Sequence, residues 1–266
     1  MQLAGSSALV TGASGGIGKA IARALHARGA RVIVSGRRTG ELEQLRGELG
    51  GDTTILESDL ADRDAVGALV ERAGPLDIVV ANAALPASGR VDSFTSEEID
   101  SALDVNLRAP IQLAHAVAPG MVERGRGHLV FISSLSGKSA SGGGAIYSAT
   151  KFGLRGFAAG LREDLIGSGV GVTTIYPGFI SDAGMFAESG TKLPPGVGTR
   201  TPEAVADAVV RGIEDGKAEL DVAPLAVRVG ARLWGLSPTA MGALQRRMGS
   251  LKVADEMAAG QRSKRR

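Results

Sequence analysis

Two reactive side chains stand four residues apart in Tyr147-Ser148-Ala149-Thr150-Lys151, at the start of a predicted helix. Residues four apart share one helix face, so the phenol and the ammonium group can point into the same cleft. A free tyrosine has a pKa of about 10 and is a poor acid or base at neutral pH. A neighbouring cation favours the phenolate and lowers this pKa. The pair therefore predicts acid–base catalysis by Tyr147, tuned by Lys151.

Three serines, Ser133, Ser134 and Ser136, follow an apolar run that is predicted to be a strand. A hydroxyl at the carboxyl end of a strand can hydrogen-bond a substrate carbonyl and stabilise charge on its oxygen. Serines are common in turns, so the residue types alone leave the choice among the three open.

The segment Thr11-Gly12-Ala13-Ser14-Gly15-Gly16-Ile17-Gly18 connects the first predicted strand to the first predicted helix. Glycines allow the backbone to approach a pyrophosphate closely, and a helix N-terminus offers it free N–H groups. Glycine clusters occur in any tight turn, but a cluster between a strand and a helix is a much more specific signal. The segment therefore predicts a phosphate-binding turn for a dinucleotide.

Gly12, Gly16 and Gly18 fit the spacing T-G-x-x-x-G-x-G, and at this point the chain resembles the classical short-chain dehydrogenase/reductase family. Further motifs extend the resemblance over residues 6–222. It implies a nicotinamide cofactor, and hydride transfer between that cofactor and a substrate carbon that is interconverted between carbonyl and alcohol.

The resemblance also implies roles for four catalytic residues. Tyr147 would give or take the proton of the substrate oxygen, and Lys151 would lower the tyrosine pKa and bind the ribose. Ser134, thirteen residues before the tyrosine, would polarise the carbonyl. Asn106 would hold a helix backbone and a water that links Lys151 to solvent.

Cofactor contacts follow from the same resemblance. The predicted cofactor-binding residues are Gly12, Ser14, Gly15, Gly16, Ile17, Gly18, Arg37, Arg38, Asp59, Leu60, Asn82, Ala83, Ala84, Tyr147, Lys151, Pro177, Gly178 and Ile180. The chain departs from the family at three places: Ala81 and Ala84 replace the first Asn and the Gly of N-N-A-G, and Asp182 stands where a Thr is frequent.

The end of the second predicted strand bears on the choice of cofactor. An acidic residue there would hydrogen-bond the ribose 2′-hydroxyl of NAD. Gly36 occupies the position of that acid, and Arg37 and Arg38 follow. Since a guanidinium matches a 2′-phosphate, the sequence predicts NADP(H). The alternative is a solvent-facing arginine pair that opens the second helix.

Apolar runs alternate with helical patterns along the chain, and this predicts a single-domain, Rossmann-like, doubly wound parallel sheet with helices on both faces. The seven predicted strands are residues 7–11, 31–35, 53–57, 77–81, 128–133, 171–176 and 219–222. The main predicted helices are residues 17–28, 42–49, 65–72, 97–124 (broken near Pro110) and 147–166. This α/β domain would span 1–222, followed by a helical appendage at 223–250 and a basic, flexible tail at 251–266.

Composition excludes several classes of protein. With no cysteine and three scattered histidines, the 266 residues predict neither a thiol nucleophile nor a metal site. No apolar run could cross a bilayer and no secretion signal is visible, so we expect a soluble cytoplasmic protein.

The excess of positive charge lies in residues 245–266, which contain seven basic and two acidic residues. A nucleic-acid-binding protein would normally carry this excess on its folded domain. This segment is either a solvated terminus or a contact for anionic lipid or an acidic partner. The helix before it packs on the domain or lies on a membrane surface.

Substrate and assembly are less defined. Residues 183–200, with Pro194 and Pro195, would close the substrate pocket. Met185, Phe186 and Leu193 favour a small apolar ketone or aldehyde, or a lipid-like substrate.

A homodimer or homotetramer is expected because the helix from Tyr147 carries apolar residues on more than one face: Leu154, Phe157, Ala158, Leu161 and Leu165. A non-catalytic NADP(H) sensor is the alternative function, and an epimerase or dehydratase would need a different glycine spacing.

Overall fold

A seven-stranded, all-parallel sheet forms the centre of the protein, whose computed structural model describes residues 1–50, 52–194 and 197–262. The strand order is β3-β2-β1-β4-β5-β6-β7. The strands are β1 Ser7–Thr11, β2 Arg31–Gly36, β3 Thr54–Glu57, β4 Ile78–Ala81, β5 Gly127–Ile132, β6 Val170–Pro177 and β7 Glu219–Val222. The predicted doubly wound α/β fold is confirmed, and each predicted strand overlaps an observed one.

The two faces of the sheet are covered by separate apolar clusters. Because side chains on both faces are buried, the strands are continuous Val, Ile and Leu runs rather than alternating ones. Strand order reverses between β1 and β4, which are neighbours although β2 and β3 lie between them in sequence. The crevice beyond the carboxyl ends of these two strands is where open α/β sheets bind ligands.

Among the described residues, eight α-helices precede β7 in the sequence. They are α1 Gly16–Ala27, α2 Thr39–Leu49, α3 Ala65–Ala73, α4 Ser96–Leu103, α5 Ala109–Glu123, α6 Ala145–Asp164, α7 Gly184–Ala187 and α8 Pro202–Asp215. The break predicted near Pro110 is instead a π-helical turn at Asp104–Arg108. Pro110 lies in the first turn of α5, where a missing N–H costs no helical hydrogen bond.

Three helices follow the sheet: α9 Leu225–Leu236, α10 Pro238–Arg247 and α11 Ser250–Gln261. The prediction of a flexible tail from residue 251 is therefore wrong, because α11 packs on the domain and the buried Gln261 amide donates to the Met185 carbonyl at 3.0 Å. Residues 263–266 of that tail, and Pro195 of the predicted pocket-closing segment, lie outside the described residues. In the described part of the chain, no helix is long and apolar enough to cross a membrane.

The apolar residues of α6 pack inside the protein. Leu154, Ala158 and Leu165 are buried in the cluster on one face of the sheet, and Phe157 and Leu161 pack against the same cluster. Phe157 and Leu161 stay partly exposed, and the expected homodimer or homotetramer remains a prediction. The residues that α6 exposes include three small ones near its middle, Gly156, Ala159 and Gly160.

Candidate active site

A cleft of about 1040 Å³ opens at the carboxyl edge of the sheet. It collects residues from the ends of β1, β2, β4, β5 and β6 and from the start of α6. Every predicted catalytic or cofactor-binding residue lines this cleft except Asn106. Residues scattered over more than 160 positions in the sequence are thus brought to one site.

The glycine-rich turn lies directly against the end of β4. Gly12 has φ +64°, and a Cβ there would lie 2.7 Å from the Cα of Ala83. A Cβ on Gly18 would lie 2.8 Å from the Cα of Ala13 and 2.9 Å from the amide nitrogen of Asn82. Only glycine fits at these two positions, and the resulting bare backbone at the N-terminus of α1 fits a bound pyrophosphate.

Thr11 and Asn82 join β1 to β4 where the strand order reverses. The Asn82 side-chain amide donates to the Thr11 carbonyl at 2.9 Å. In return the Thr11 hydroxyl accepts from the backbone N–H groups of Asn82 and Ala83, at 3.1 and 3.2 Å. These bonds fix the floor of the cleft.

Two guanidinium groups mark the far end of the cleft, beyond the glycine-rich turn. Arg38 donates from Nη2 to the Ser14 carbonyl at 2.8 Å. Arg37 lies 3.7 Å from the carboxylate of Asp59, with both side chains about half exposed. A Cβ at Gly36 would lie 2.9 Å from the Ser14 hydroxyl, so this end has little room for an acidic side chain at that position.

Tyr147 and Lys151 lie one turn apart on α6 and face the same cleft. Lys151 is only 2% exposed; its Nζ donates to the Ile132 carbonyl at 3.0 Å and lies 5.6 Å from the centre of the Tyr147 ring. The Ser134 hydroxyl hydrogen-bonds the Tyr147 phenol. A phenol, a hydroxyl and an ammonium group therefore converge at this point.

The three candidate serines differ in their partners. Ser134 Oγ accepts from the Ser136 backbone N–H at 3.1 Å and donates to the Pro177 carbonyl at 3.4 Å, besides meeting the phenol. Ser133 Oγ instead donates to the Lys151 carbonyl at 3.1 Å, so it anchors the backbone of α6. The geometry favours Ser134 as the hydroxyl that acts together with Tyr147.

Burial shifts the pKa of both groups on α6. It raises the pKa of Tyr147 to about 12, an effect that the hydrogen bond from Ser134 partly offsets. It lowers the pKa of Lys151 to about 8. Burial therefore shifts the pKa of Tyr147 in the direction opposite to the lowering expected from Lys151.

Asn106 is fully buried in the π-helical turn, away from the cleft surface. Its Oδ1 accepts from the Leu85 N–H at 2.6 Å and its Nδ2 donates to the Leu85 carbonyl at 2.9 Å. Leu85 itself lines the cleft after β4. Asn106 thus positions a cleft wall, with both ends of its amide engaged. π-helical turns of this kind are frequent at functional sites.

The loop after β6 links the two ends of the cleft. Ile180 is buried and pairs with Arg200 in an isolated parallel bridge, while Ala183 contacts Gly16 of the glycine-rich turn. Asp182 has φ +65°, the one described non-glycine residue with a positive φ. Asp tolerates this conformation better than a β-branched Thr does. The local backbone therefore explains why this chain has Asp182 where a Thr is frequent in the family.

One wall of the cleft was missed by the sequence analysis, because it is made by the C-terminal helices. Its lining residues include Val227, Ala231, Met241, Leu244, Met248, Val253, Ala254 and Met257. With Met185, four of the six methionines of the chain lie in this cleft. Their concentration in the second half of the chain, with Val253 and Met257 four apart, was the available signal.

Residues 6–194 match the family described as short chain dehydrogenase. The chain belongs to this family. This short-chain dehydrogenase is 35% identical over 227 residues to the ketoacyl reductase HetN of Nostoc sp., a match that spans 83% of this chain and 79% of the relative.

Solved structures agree with this assignment to an oxidoreductase family. A serine dehydrogenase complexed with NADP+ is 31% identical, with a TM-score of 0.74 over 83% of this chain and 95% of the other. A 3-oxoacyl (acyl-carrier-protein) reductase from Agrobacterium tumefaciens with NADP bound is 27% identical, with a TM-score of 0.75 over 83% and 93%.

Proposed function

We propose that this short-chain dehydrogenase is an NADP(H)-dependent oxidoreductase that interconverts a carbonyl and an alcohol. The observation that carries the proposal is the meeting of Tyr147, Ser134 and Lys151 in the cleft that the glycine-rich turn also lines. A nicotinamide cofactor, when bound, supplies or accepts the hydride. The side chains of the protein bind, orient and move the proton.

Tyr147 acts as the acid in carbonyl reduction. A phenol with a pKa of about 12 is protonated at neutral pH, so the donor is present in every active site. It hydrogen-bonds the carbonyl oxygen and transfers its proton as negative charge develops there. The Ser134 hydroxyl donates to the same oxygen and stabilises that charge.

Lys151 supports this proton transfer through its ammonium group. Its ammonium group has three N–H donors, and one of them is used by the Ile132 carbonyl. The other two are available for the hydroxyls of the cofactor ribose and for the oxygen of Tyr147 once its proton has left. With a pKa of about 8 the group is mostly charged at neutral pH.

NADP(H) fits the far end of the cleft. Arg37 and Arg38 both line it, and Gly36 stands where an acid would select NAD, with little room there for a larger side chain beside Ser14. A guanidinium can bind a 2′-phosphate through paired, charge-assisted hydrogen bonds. Two related proteins with bound NADP support the same choice.

The substrate is a small apolar ketone or aldehyde, or a lipid-like compound, because apolar side chains line the cleft beyond Tyr147. The active form is a homodimer or homotetramer that pairs the small exposed residues of α6 across a two-fold axis. Light scattering at micromolar concentration is expected to report a dimer or tetramer, and a monomer would refute this part of the proposal.

Tyr147→Phe tests the function directly. The change removes one oxygen, so the fold and NADPH affinity are retained, while kcat for ketone reduction falls by about 10²–10⁴-fold. NADPH absorbance measures turnover, and NADPH fluorescence measures binding. A variant that keeps the wild-type kcat would exclude Tyr147 as the acid. If the wild-type protein binds NADPH but does not oxidise it in the presence of any ketone, aldehyde or quinone of the panel, the protein is a sensor and not an enzyme.

A further inference from the structure

The part of the cleft beyond Tyr147 differs sharply in polarity from the cofactor end. Among the described lining residues, the charged ones are Arg37, Arg38, Asp59 and Lys151 toward the cofactor and Glu188 beyond it. The other lining residues of the part beyond Tyr147 are mainly Met, Leu, Val, Phe and Ala, with serines and two glutamines between them. No lysine or arginine among these described residues could neutralise an anionic substrate chain there.

We propose that the substrate is an uncharged carbonyl compound with a long, flexible apolar chain, and that this chain lies between the loop after β6 and helices α9–α11. The proposal rests on the proposed function and specifies its substrate class. The carbonyl would lie at Tyr147 and Ser134, and the chain would extend toward Met241, Met248 and Met257.

Methionine is suited to this kind of ligand. Its unbranched, polarisable side chain adapts to many shapes, so a methionine-lined channel accepts a flexible chain better than it discriminates a rigid ring. Three of the four methionines come from α10, α11 and the residue after α10, and the fourth, Met185, comes from the short helix α7 in the connection after β6. The chain would therefore contact both walls.

The C-terminal wall is closely packed on the catalytic domain. A Cβ at Gly142 would lie 2.5 Å from Leu251, and one at Gly143 would lie 2.7 Å from Ala254, so both glycines permit α11 to approach. Gln245 donates to the Ser139 hydroxyl at 3.0 Å, and Gln261 holds the Met185 carbonyl. These contacts hold the C-terminal helices against the catalytic domain.

The lining of the channel disfavours substrates whose apolar chain carries an anionic group. A carboxylate drawn into this channel would lose its hydration without gaining a cation from the described lining residues, and burial of an unpaired charge is costly. An anionic group can be accommodated only outside the channel.

The test is a series of neutral methyl ketones from 2-butanone to 2-decanone, reduced with NADPH by the full-length protein. Each added methylene that is buried is expected to raise kcat/KM by about two- to fourfold. A ketone of the same length as 2-decanone that ends in a carboxylate is expected to be at least about tenfold poorer than the neutral ketone.

Met257→Gln and Met241→Gln place a polar amide in the channel at nearly constant volume. Both are expected to reduce the dependence of kcat/KM on chain length, with 2-decanone losing more than 2-butanone. Ile166→Gln is the matched control, because Ile166 is exposed at the end of α6 and does not line the cleft. Its chain-length dependence should equal that of the wild type.

The outcomes separate the two levels of the proposal. If short ketones are reduced and Tyr147→Phe abolishes this, but chain length has no effect or the carboxylate is equally good, the substrate class is wrong and the proposed function stands. If no ketone of any length oxidises NADPH, both are wrong.

A second, independent observation concerns the outer surface of the same helices. Seven of the eleven large apolar side chains exposed in the described residues lie between Leu225 and Leu251. Leu225 and Leu236 are 70% and 83% exposed, and Val229 and Leu233 complete a row on one face of α9. Leu244 and Met248 are exposed and also line the cleft, so the cleft opens on this surface.

Charge concentrates in the same segment. Residues 223–266 carry nine lysines and arginines against two acidic residues, a net charge of +7, which leaves −5 on residues 1–222. We infer that the surface formed by residues 223–262, which carry six lysines and arginines against two acidic residues, docks on an anionic lipid membrane. The leucine row would enter the interface and these cations would meet lipid headgroups. A second copy of the chain fits less well, because a two-fold interface would bring this positive surface against itself.

Sedimentation with vesicles tests the docking. The protein is expected to bind vesicles that contain phosphatidylglycerol, to bind pure phosphatidylcholine weakly, and to be released by high salt. Leu225→Gln combined with Leu236→Gln should abolish binding, while Val91→Gln, at an exposed site elsewhere, should not. Absence of binding to anionic vesicles would overturn the inference. So would a leucine double variant that changes only the oligomeric state in light scattering.

Discussion

Backbone at the ends of β1, β2 and β4 makes the wall of the cleft where we place the cofactor, here called the cofactor wall. Side chains of the C-terminal helices and of the loop after β6 make the wall where we place the substrate, here called the substrate wall. The first wall depends on glycines whose Cβ would collide with neighbouring backbone, as at Gly12. The second depends on methionines, which adapt. A wall of backbone tolerates little change, while a wall of flexible side chains can be altered to suit another substrate. Substitutions in the two walls should therefore have different kinetic signatures.

The largest effect is expected at Lys151, which under the proposed function would act on every substrate. Lys151→Met keeps the volume but removes the charge, and we expect kcat/KM to fall by about 10²–10⁴-fold with weaker NADPH binding. Short and long ketones should lose the same factor. Lys252→Met, at an exposed lysine, is the control. A loss confined to long ketones would place Lys151 in the substrate wall and would break the comparison.

The pH dependence sharpens the role of Tyr147. Alcohol oxidation needs the phenolate to accept a proton, so with a pKa of about 12 the oxidation rate should rise roughly tenfold per pH unit between pH 7 and 10. Reduction needs the protonated phenol and charged Lys151, so its rate should be flat at neutral pH and fall above about pH 8. An oxidation rate that levels off below pH 8 would instead support a tyrosine pKa lowered by Lys151.

Arg37→Asp tests the cofactor wall alone. Loss of a charge-assisted hydrogen bond to the 2′-phosphate is expected to weaken NADPH binding by about 10- to 100-fold, while NADH binding improves. Fluorescence titration with both cofactors measures the change. Arg31→Asp, at the exposed start of β2, should leave the preference unaltered. Equal loss for both cofactors would show that Arg37 supports the fold rather than the phosphate.

The smallest effect is expected in the loop that joins the two walls. Asp182→Thr puts a β-branched residue at φ +65° and should destabilise the protein by about 1–2 kcal/mol, whereas Asp182→Gly should change stability by less than about 1 kcal/mol. Urea unfolding midpoints measure both, with Ser181→Thr as the neighbouring control. If Asp182→Thr were neutral, the loop would not be held in this conformation.

Sequence analysis predicted the two walls unequally, for a physical reason. Each element of the cofactor wall is a short contiguous motif, such as residues 11–18 or 147–151, in which spacing along the chain fixes spacing in space. The substrate wall combines residues that are distant in sequence, such as Gln261 and Met185, which are in contact although they lie 76 positions apart. Local patterns do not contain such contacts, so α11 was predicted as a flexible tail.

The pKa of Tyr147 was beyond sequence analysis for a related reason. Spacing on α6 shows that Lys151 lies nearby, but not that both groups are buried or that the lysine donates to Ile132. Burial reverses the direction of the expected shift for the tyrosine. The same limit applies to Asn106, whose position in a π-helical turn was not visible from the residue types.

The ratio of kcat/KM for 2-decanone to that for 2-butanone tests the division between the two walls most directly. It should be high in the wild type, unchanged in Tyr147→Phe although both rates fall, and clearly lower in Met257→Gln. A ratio that Tyr147→Phe lowers as much as Met257→Gln does would contradict the account, because one wall would then perform both the chemistry and the selection.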